Sequence, residues 1–555
     1  MMIKDKNLTQ NVLDSLCLAQ EAAVELYHAV DDNNNTEVVI ISSDMIELLS
    51  SLHSISVQLA EETPATNFSG ICDSALDSLH RIVNAYELGD TRVCDKIEYE
   101  LIPILQDAYL HFYFWVCVYP DPIRMKHYYE NERKLLISND YINESEKNKH
   151  YKYEVSIVVL AYNKLEYTKM CVESILETIP QNLNYELILI NHGSTDGTKE
   201  YFESIRPTKQ LDIKVNCALF ETVCRIIEGE YVIIFSNDVV ACENAIANMI
   251  KCMKDNPQIG FGVPTTPNVS NLQTIPFEGG ETLEGVREFA SKNNVYDPFR
   301  HEQRSRLCNP VTFYRSYTML TLIGVLGYFV TQSKVAYPDD VISLLTRRNR
   351  YKNILAKDAY CYHFGSVTIN DEMQKINIAV EAVRGSDDFY RVFGIDPWSP
   401  GFCYEESFLQ LVELMQKETI SVLGINCGLG SSPLKIKEMY KEQQHILDVT
   451  LYNVTDQSNY LFDLIGISDY AQYLDNVHNI FSKANNNFPH EYDHIVVESH
   501  PDEINECIEF ISDCQRSLTA GGAIYMKIYE QDFMKSIQSH FKNTSLNEYW
   551  IRINA

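Results

Sequence analysis

Positive charge is scarce in this sequence. Its 46 lysines and arginines face 77 aspartates and glutamates, a formal net charge of −31 over 555 residues. That balance argues against nucleic acid as a partner, because a phosphate backbone is held through Lys and Arg. It also means that any diphosphate bound here must recruit a cation locally. Long apolar runs are missing as well. The longest, Tyr317–Val330, falls short of the roughly 20 residues that a membrane helix needs, so no transmembrane segment is expected. Met1-Met-Ile-Lys-Asp-Lys-Asn7 has no apolar core followed by a cleavage site, so no signal peptide is expected either. The 15 cysteines include no C-x-x-C pair. They read as reduced core thiols of a cytoplasmic protein, not as a disulfide or zinc framework. No repeat of fixed period is present, and the length calls for about three domains.

Residues 1–150 carry helical periodicity throughout. Leu16, Ala19, Ala23, Leu26 and Val30 mark one apolar face; Leu48, Leu52, Ile55 and Leu59 mark a second. Asp31–Asn35 and Glu61–Ser69 supply loops. A third pattern runs from Asp95 through the aromatic cluster Tyr109–Val116 and stops near Pro120. That cluster is expected in a bundle core or against the next domain, with acceptor docking as its other use. Polar Asn139–Lys152 reads as a linker.

From Glu154 to Val240 the pattern changes. Three β-branched runs, 155–160, 187–190 and 231–235, read as buried parallel strands. After the first, Tyr167, Cys171, Ile175 and Ile179 recur every four residues, and Val172 and Leu176 widen the stripe. Alternating strand and helix predict a doubly wound α/β sheet, on which ligands bind beyond the carboxyl ends of the strands. Polar residues gather at those ends: Tyr162 and Asn163, then Asn191–Asp196, then Ser236–Asp238.

Four pieces stand in order here: Val155-Ser-Ile-Val-Val-Leu-Ala-Tyr-Asn163, Leu187-Ile-Leu-Ile-Asn-His-Gly-Ser-Thr-Asp-Gly197, Glu228-Gly-Glu230 and Tyr231-Val-Ile-Ile-Phe-Ser-Asn-Asp238. Together they resemble the nucleotide-sugar half of the family-2 glycosyltransferases, inverting enzymes of the GT-A fold. The resemblance implies a GT-A (Rossmann-like) domain over 151–370, behind a helical domain over 1–150. It implies a nucleotide-sugar site formed by Ala161, Tyr162, Asn163, Asn191, Gly193, Ser236, Asn237 and Asp238. It further implies a divalent cation, Mn²⁺ or Mg²⁺, on Asp238 and His363. His363 lies in Ala359–Thr368, which resembles the family's closing strand; Pro310–Arg315 resembles the strand leading to the acceptor side. Tyr337–Arg348 resembles the segment whose helix start carries the catalytic base. Asp340 then takes the base position, and Asp339 the position of the acid that helps hold the acceptor. Two acids after Pro338 also cap a helix and complement its dipole, and both roles are compatible.

The sequence departs from the family in three places. Leu160-Ala161 stands where relatives carry Pro, Asn191 where an Asp meets the nucleobase, and Cys217–Arg225 is a degenerate form of the next segment. A UDP-sugar is the expected donor, N-acetylglucosamine the first sugar to test, with glucose, galactose and a nonulosonate-like sugar open.

Residues 371–402 read as a helix and a turn-rich linker, and 403–555 as a second α/β region. Ser421–Gly430, Ile446–Val449, Tyr492–Ser499 and Leu518–Tyr525 resemble, in order, the strands of a Rossmann-like S-adenosylmethionine methyltransferase. Its cofactor fingerprint is incomplete: Gly424 and Asn426 replace the acid and the first glycine, leaving Gly428, Gly430 and, for the ribose, Asp448. S-adenosylmethionine is therefore not expected, and the region reads as a degenerate domain that is structural or binds a partner. The overall layout resembles bacterial flagellin and surface-protein glycosyltransferases. That likeness implies transfer to Ser or Thr hydroxyls in the cytoplasm. Transfer to a cell-surface polysaccharide or lipid-linked glycan, a non-catalytic glycosyltransferase-like scaffold, and a methyltransferase are the alternatives.

Overall fold

A computed structural model describes residues 6–60, 68–128, 151–215, 220–275, 282–323, 338–365, 378–481 and 488–555. Outside them lie residues 139–150 of the expected linker, loop residues 61–67, residues 217–219 of the degenerate segment, 324–330 of the apolar run and 366–368 of the closing motif. The chain divides into two compact units. One comprises Met1–Ala247, Pro310–Ala336 and Cys361–Gly385, the other Asn248–Asn309, Tyr337–Tyr360 and Ser386–Ala555. The span 151–370 thus contributes to both.

The first unit begins with the helices Lys6–Asp31, Asn35–Ala60 and Phe68–Glu87 and the continuous helical stretch Val93–Val118. The first buries Leu16, Ala19, Ala23 and Leu26 as the periodicity predicts. In the second the buried stripe is Met45, Leu49, Leu52, Ser56 and Leu59, with Leu48 and Ile55 on its flank. Ser56 can lie in that stripe because its hydroxyl donates to the His53 carbonyl at 2.7 Å. In Val93–Val118 the side chains of Phe112, Phe114 and Trp115 are buried, so much of the aromatic cluster is core. Asn35–Leu59 and Val93–Val118 are long and apolar enough, by length and composition, to cross a membrane. Neither registers as an apolar run, because polar residues interrupt each.

The same unit holds a parallel sheet, with strands numbered here in chain order. β1 (Tyr153–Ala161) lies between β2 (Tyr185–His192) and β4 (Gly229–Ser236), and β3 (Lys209–Ile213) flanks β2. β8 (Val311–Arg315) adds antiparallel to β4. The predicted strands are present and longer than the apolar runs. Helix Leu165–Thr178 buries Cys171, Val172 and Ile175, but Leu176 is exposed. Edge strand β3 gave no sequence signal because its charge is internal. Lys209 is buried, with its ammonium 2.7 Å from both Glu186 and Glu228 and 4.2 Å from the centre of the Tyr99 ring. Glu228, part of the third motif piece, also donates its N–H to Glu186 at 2.6 Å. The bundle is tied by Asp107 to Thr222 and Arg225 on the helix Phe220–Ile226 before β4, and by Ser74, which accepts from the N–H of Lys214, just after β3, at 2.9 Å.

In the second unit β6 (Ile259–Thr265) runs parallel to β9 (Lys352–Tyr360), and β7 (His301–Arg304) antiparallel to β9. A seven-stranded sheet follows in the order β13-β12-β11-β14-β15-β17-β16. Its strands are β11 (Ile420–Ile425), β12 (Val449–Thr455), β13 (Tyr470–Tyr473), β14 (Tyr492–Val497), β15 (Leu518–Lys527), β16 (Thr544–Asn547) and β17 (Trp550–Asn554). The first five are parallel, and β17 and β16 close the edge antiparallel. Buried charge joins this sheet to the elements before it. Asp463 accepts from Arg347 at 2.7 Å and from Arg348 at 2.8 Å. Glu302 meets Arg304 at 2.6 Å, Lys435 at 2.8 Å and Lys357 at 3.2 Å, and these cations hold its carboxyl far below the usual range against the penalty of burial.

Removing one partner of a buried pair strands the other charge, at about 3–5 kcal/mol. Lys209→Met, which leaves fully buried Glu186 without its cation, is therefore expected to cost about that much in denaturant unfolding. Glu166→Ala, at the exposed pair with Lys169, should change stability by less than about 1 kcal/mol. Equal effects would contradict the buried-pair account.

Candidate active site

In the first unit the strand order reverses direction at β1. The carboxyl ends of β1 and β4 at that point are the place where doubly wound sheets take ligands. Asn163 sits there at φ 55°, a left-handed conformation that Asn tolerates. Its side-chain oxygen accepts from the Thr195 N–H at 2.9 Å, and its own N–H donates to Ser194 at 2.8 Å. Asp196 accepts from the Leu165 N–H at 2.8 Å. Asn237, after β4, bridges to the segment after β1, its amide donating to the Asn163 carbonyl and to Thr168, both at 2.8 Å. The loops after β1, β2 and β4 are thus one hydrogen-bonded assembly. Gly193 is required in it: at φ +85° a Cβ would stand 2.8 Å from the Lys214 backbone.

Asn191 is buried at the end of β2. Its amide donates to Asp212 on β3 at 3.1 Å, and its oxygen accepts from the Ser194 N–H at 2.9 Å. The amide in place of the family's Asp has a local reason: a carboxylate there would face Asp212 with no proton to share. Ala161 stands beside Asn191 in register, with Tyr162 and Ser236 partly exposed at the strand ends.

Asp238 and His363 are brought together by a two-stranded ribbon. β5 (Val239–Val240) pairs antiparallel with β10 (Tyr362–His363), placing His363 opposite Val239. The Phe364 N–H donates to the Asp238 carbonyl at 3.1 Å. The His363 Nε2 lies 3.4 Å from an Asp238 carboxylate oxygen, and both side chains are over nine-tenths buried. One carboxylate and one imidazole suit a hard divalent cation that takes its other ligands from phosphates and water. No group of three or more His, Cys, Asp and Glu side chains poised for a metal occurs among the described residues.

Asp339 and Asp340 open the helix Pro338–Arg348 in the second unit. They face different surroundings. Asp340 is buried and bonded to the Arg306 guanidinium, whose second nitrogen lies 3.5 Å from its other oxygen. Asp339 is partly exposed and caps the Asp340 N–H at 3.1 Å. Burial first, and the Asp339 charge second, push the Asp340 carboxyl up to about 7, while Arg306 pulls it down. Arg306 had no sequence signal: it lies 34 residues before Asp340 and is joined to it only by the fold.

The second sheet reverses direction at β11. Here the glycine loop is covered by the chain itself: the Leu429 N–H donates to the Pro400 carbonyl at 2.9 Å and the Ser431 N–H to the Gly401 carbonyl at 3.1 Å. The amide of Asn426 donates to Asp456 at 3.0 Å, and the Asp456 N–H returns the bond to Asn426 at 3.0 Å. Asp448 does not fit the ribose role expected of it. It precedes β12, where its carbonyl accepts from the Ile420 N–H at 3.0 Å, at the opposite end of the strands. The expected strand 446–449 begins only at Val449.

Residues 156–300 match the family described as Glycosyl transferase family 2. No curated protein matches the chain. Among solved structures, that of GalNAc-T7 with UDP, GalNAc and Mn²⁺ aligns with 38% of this chain and 44% of its own, at 11% identity and a TM-score of 0.30. The mannosyltransferase PcManGT from Pyrobaculum calidifontis, in complex with GDP-Man and Mn²⁺, aligns with 49% of this chain and 74% of its own, at 16% identity and a TM-score of 0.29. The alignment thus spans less than half of the GalNAc-T7 chain. The matched stretch 156–300 contains every residue named above from Ala161 to Asp238, and not Arg306, Asp339, Asp340 or His363. Residues 156–300 thus match a family-2 glycosyltransferase domain, within a GT-A (Rossmann-like) α/β architecture that a helical region precedes in the chain and a second Rossmann-like sheet follows.

Proposed function

We propose that this protein is an inverting transferase that moves a sugar from a UDP-sugar to a hydroxyl acceptor. The observation that carries this reading is the pairing of Asp238 with His363 beside the knitted loops after β1, β2 and β4. UDP-N-acetylglucosamine is the first donor to test. A Ser or Thr of a flagellin-like surface protein, modified in the cytoplasm, is the first acceptor. The layout of a family-2 domain between a helical region and a second Rossmann-like sheet supports that choice.

In the proposed reaction the acceptor oxygen forms a bond to the anomeric carbon as the bond to the diphosphate oxygen breaks on the opposite face. The acceptor proton passes to Asp340. Asp339, more exposed and on the same helix turn, holds the acceptor. Asp238 and His363 would hold Mn²⁺ or Mg²⁺, which when bound offsets the charge gathering on the leaving diphosphate. In a chain this acidic, no spare cation stands among the residues named for the donor, so that role suits a metal.

Chelator should abolish transfer and Mn²⁺ or Mg²⁺ restore it, with Asp238→Ala inactive under both conditions. Full activity of Asp238→Ala in chelator overturns the metal assignment. For the base, Asp340→Asn should leave donor affinity unchanged and lower turnover by at least roughly 10²-fold, whereas Asp339→Asn should act on acceptor KM. A base works ionised, so wild-type turnover should rise with pH through about 7 and fall off below it. Normal turnover by Asp340→Asn, or a profile flat across neutrality, would place the base elsewhere.

A further inference from the structure

The second Rossmann-like sheet has a ligand's place at its switch point and fills it with its own backbone. A Cβ on Gly428 would lie 1.8 Å from the Pro400 carbonyl oxygen, and one on Gly401 2.0 Å from that of Cys427. These glycines therefore serve the approach of two chain segments, where a cofactor loop would serve a ligand. The covering segment, Pro400–Phe402, then reaches further. The Phe402 carbonyl accepts from the Ser305 hydroxyl at 3.2 Å, and its ring centre lies 5.8 Å from the Arg306 guanidinium carbon. Ser431, the first residue of the helix after the glycine loop, bonds the same Ser305 hydroxyl.

Ser305 is also held by its carbonyl. Arg347 donates to it, and Asn353 donates to it at 3.2 Å. Arg347 is in turn fixed by Asp463, at 2.7 and 3.2 Å from two of its nitrogens. The residue after this doubly clamped serine is Arg306, which grips Asp340. We propose that the second sheet acts as the buttress of the catalytic base: Ser431 and Asp463 are positioning residues that fix Ser305 and Arg306, and through them the Asp340 carboxylate. This rests on the reading of Asp340 as the base.

Positioning has a readout that stability alone does not move. The charged and titratable groups facing Asp340 are Asp339, Arg306 and Arg347, with Cys308 at 3.5 Å from Arg306. If the clamp loosens, Arg306 withdraws and its pull on the carboxyl weakens. The acid limb of the turnover profile then moves to higher pH, and misplacement of the base lowers kcat.

The test compares pH profiles of kcat, donor KM and thermal midpoints for the full chain and for Ser431→Ala, Ser431→Thr, Asp463→Asn and Asp340→Asn. Ser431→Ala should lower kcat by roughly 10-fold and shift the acid limb upward by roughly half a pH unit, with donor KM unchanged. Ser431→Thr, which keeps the hydroxyl, should restore both, and Asp463→Asn should act in the same direction as Ser431→Ala. Calorimetry with millimolar S-adenosylmethionine should give no binding heat. A wild-type profile for Ser431→Ala, or a loss of rate matching the loss of folded protein with the limb unmoved, overturns the positioning role. Binding of S-adenosylmethionine overturns the self-filled loop. If Asp340→Asn turns over normally, the base assignment itself has failed; if it is inactive while Ser431→Ala is normal, only the buttress has failed.

Discussion

A carboxylate that is to take a proton near neutrality, buried beside a second carboxylate, needs one fixed cation to keep it from staying protonated. For Asp340, proposed here as the base, that cation is Arg306, which is bonded to it. Too strong a grip would leave the carboxylate a poor base, and no grip would leave it a carboxylic acid. Much of the second unit bears on this balance. Ser305, next to Arg306, is bound at its hydroxyl by Phe402 and Ser431 and at its carbonyl by Arg347 and Asn353. Arg347 and Arg348 share Asp463, and Glu302 gathers Arg304, Lys357 and Lys435 a few residues earlier. Positive charge is scarce in this chain, yet Arg304, Arg306, Arg347 and Lys435 are all buried in this unit.

The first unit meets a different constraint. Loops proposed to present polar groups to a diphosphate must hold still without a core of their own. They do so by bonding one another: Asn163 to Ser194 and Thr195, Asn237 to Asn163, Asp196 to the Leu165 N–H. Asn191 belongs to the same economy of donors. Opposite Asp212 an amide supplies a proton that a carboxylate lacks. The Asp expected from the family resemblance is thus replaced together with its neighbour's demands.

What the sequence showed follows from what kind of burial each element has. β1, β2 and β4 are covered on both faces, so they read as unbroken apolar runs, and their carboxyl ends carry the residues proposed here for the donor. β3 and β7 stayed hidden. Lys209-Gln-Leu-Asp-Ile213 and His301-Glu-Gln-Arg304 look like loop sequence, yet nearly all of their residues are buried, because their charges are paired inside the fold. Ion pairs between residues such as Arg306 and Asp340 have no periodicity to detect. Asp339 and Asp340 stood out only through the motif around them. The glycines of the second sheet misdirect in the opposite way. Gly428 and Gly430 suggest a cofactor loop, and the bond that Pro400 makes there cannot be read from spacing.

The central claim is that a nucleotide diphosphate and a divalent cation meet at Asp238 and His363. The most direct measurement is a crystal structure of the full chain grown with UDP and Mn²⁺. The account predicts manganese bonded to Asp238 and His363, with the diphosphate on the metal and the uridine beside the loops after β1 and β2. Nucleotide seated instead on the glycine loop of the second sheet, or manganese bound away from Asp238, would contradict it.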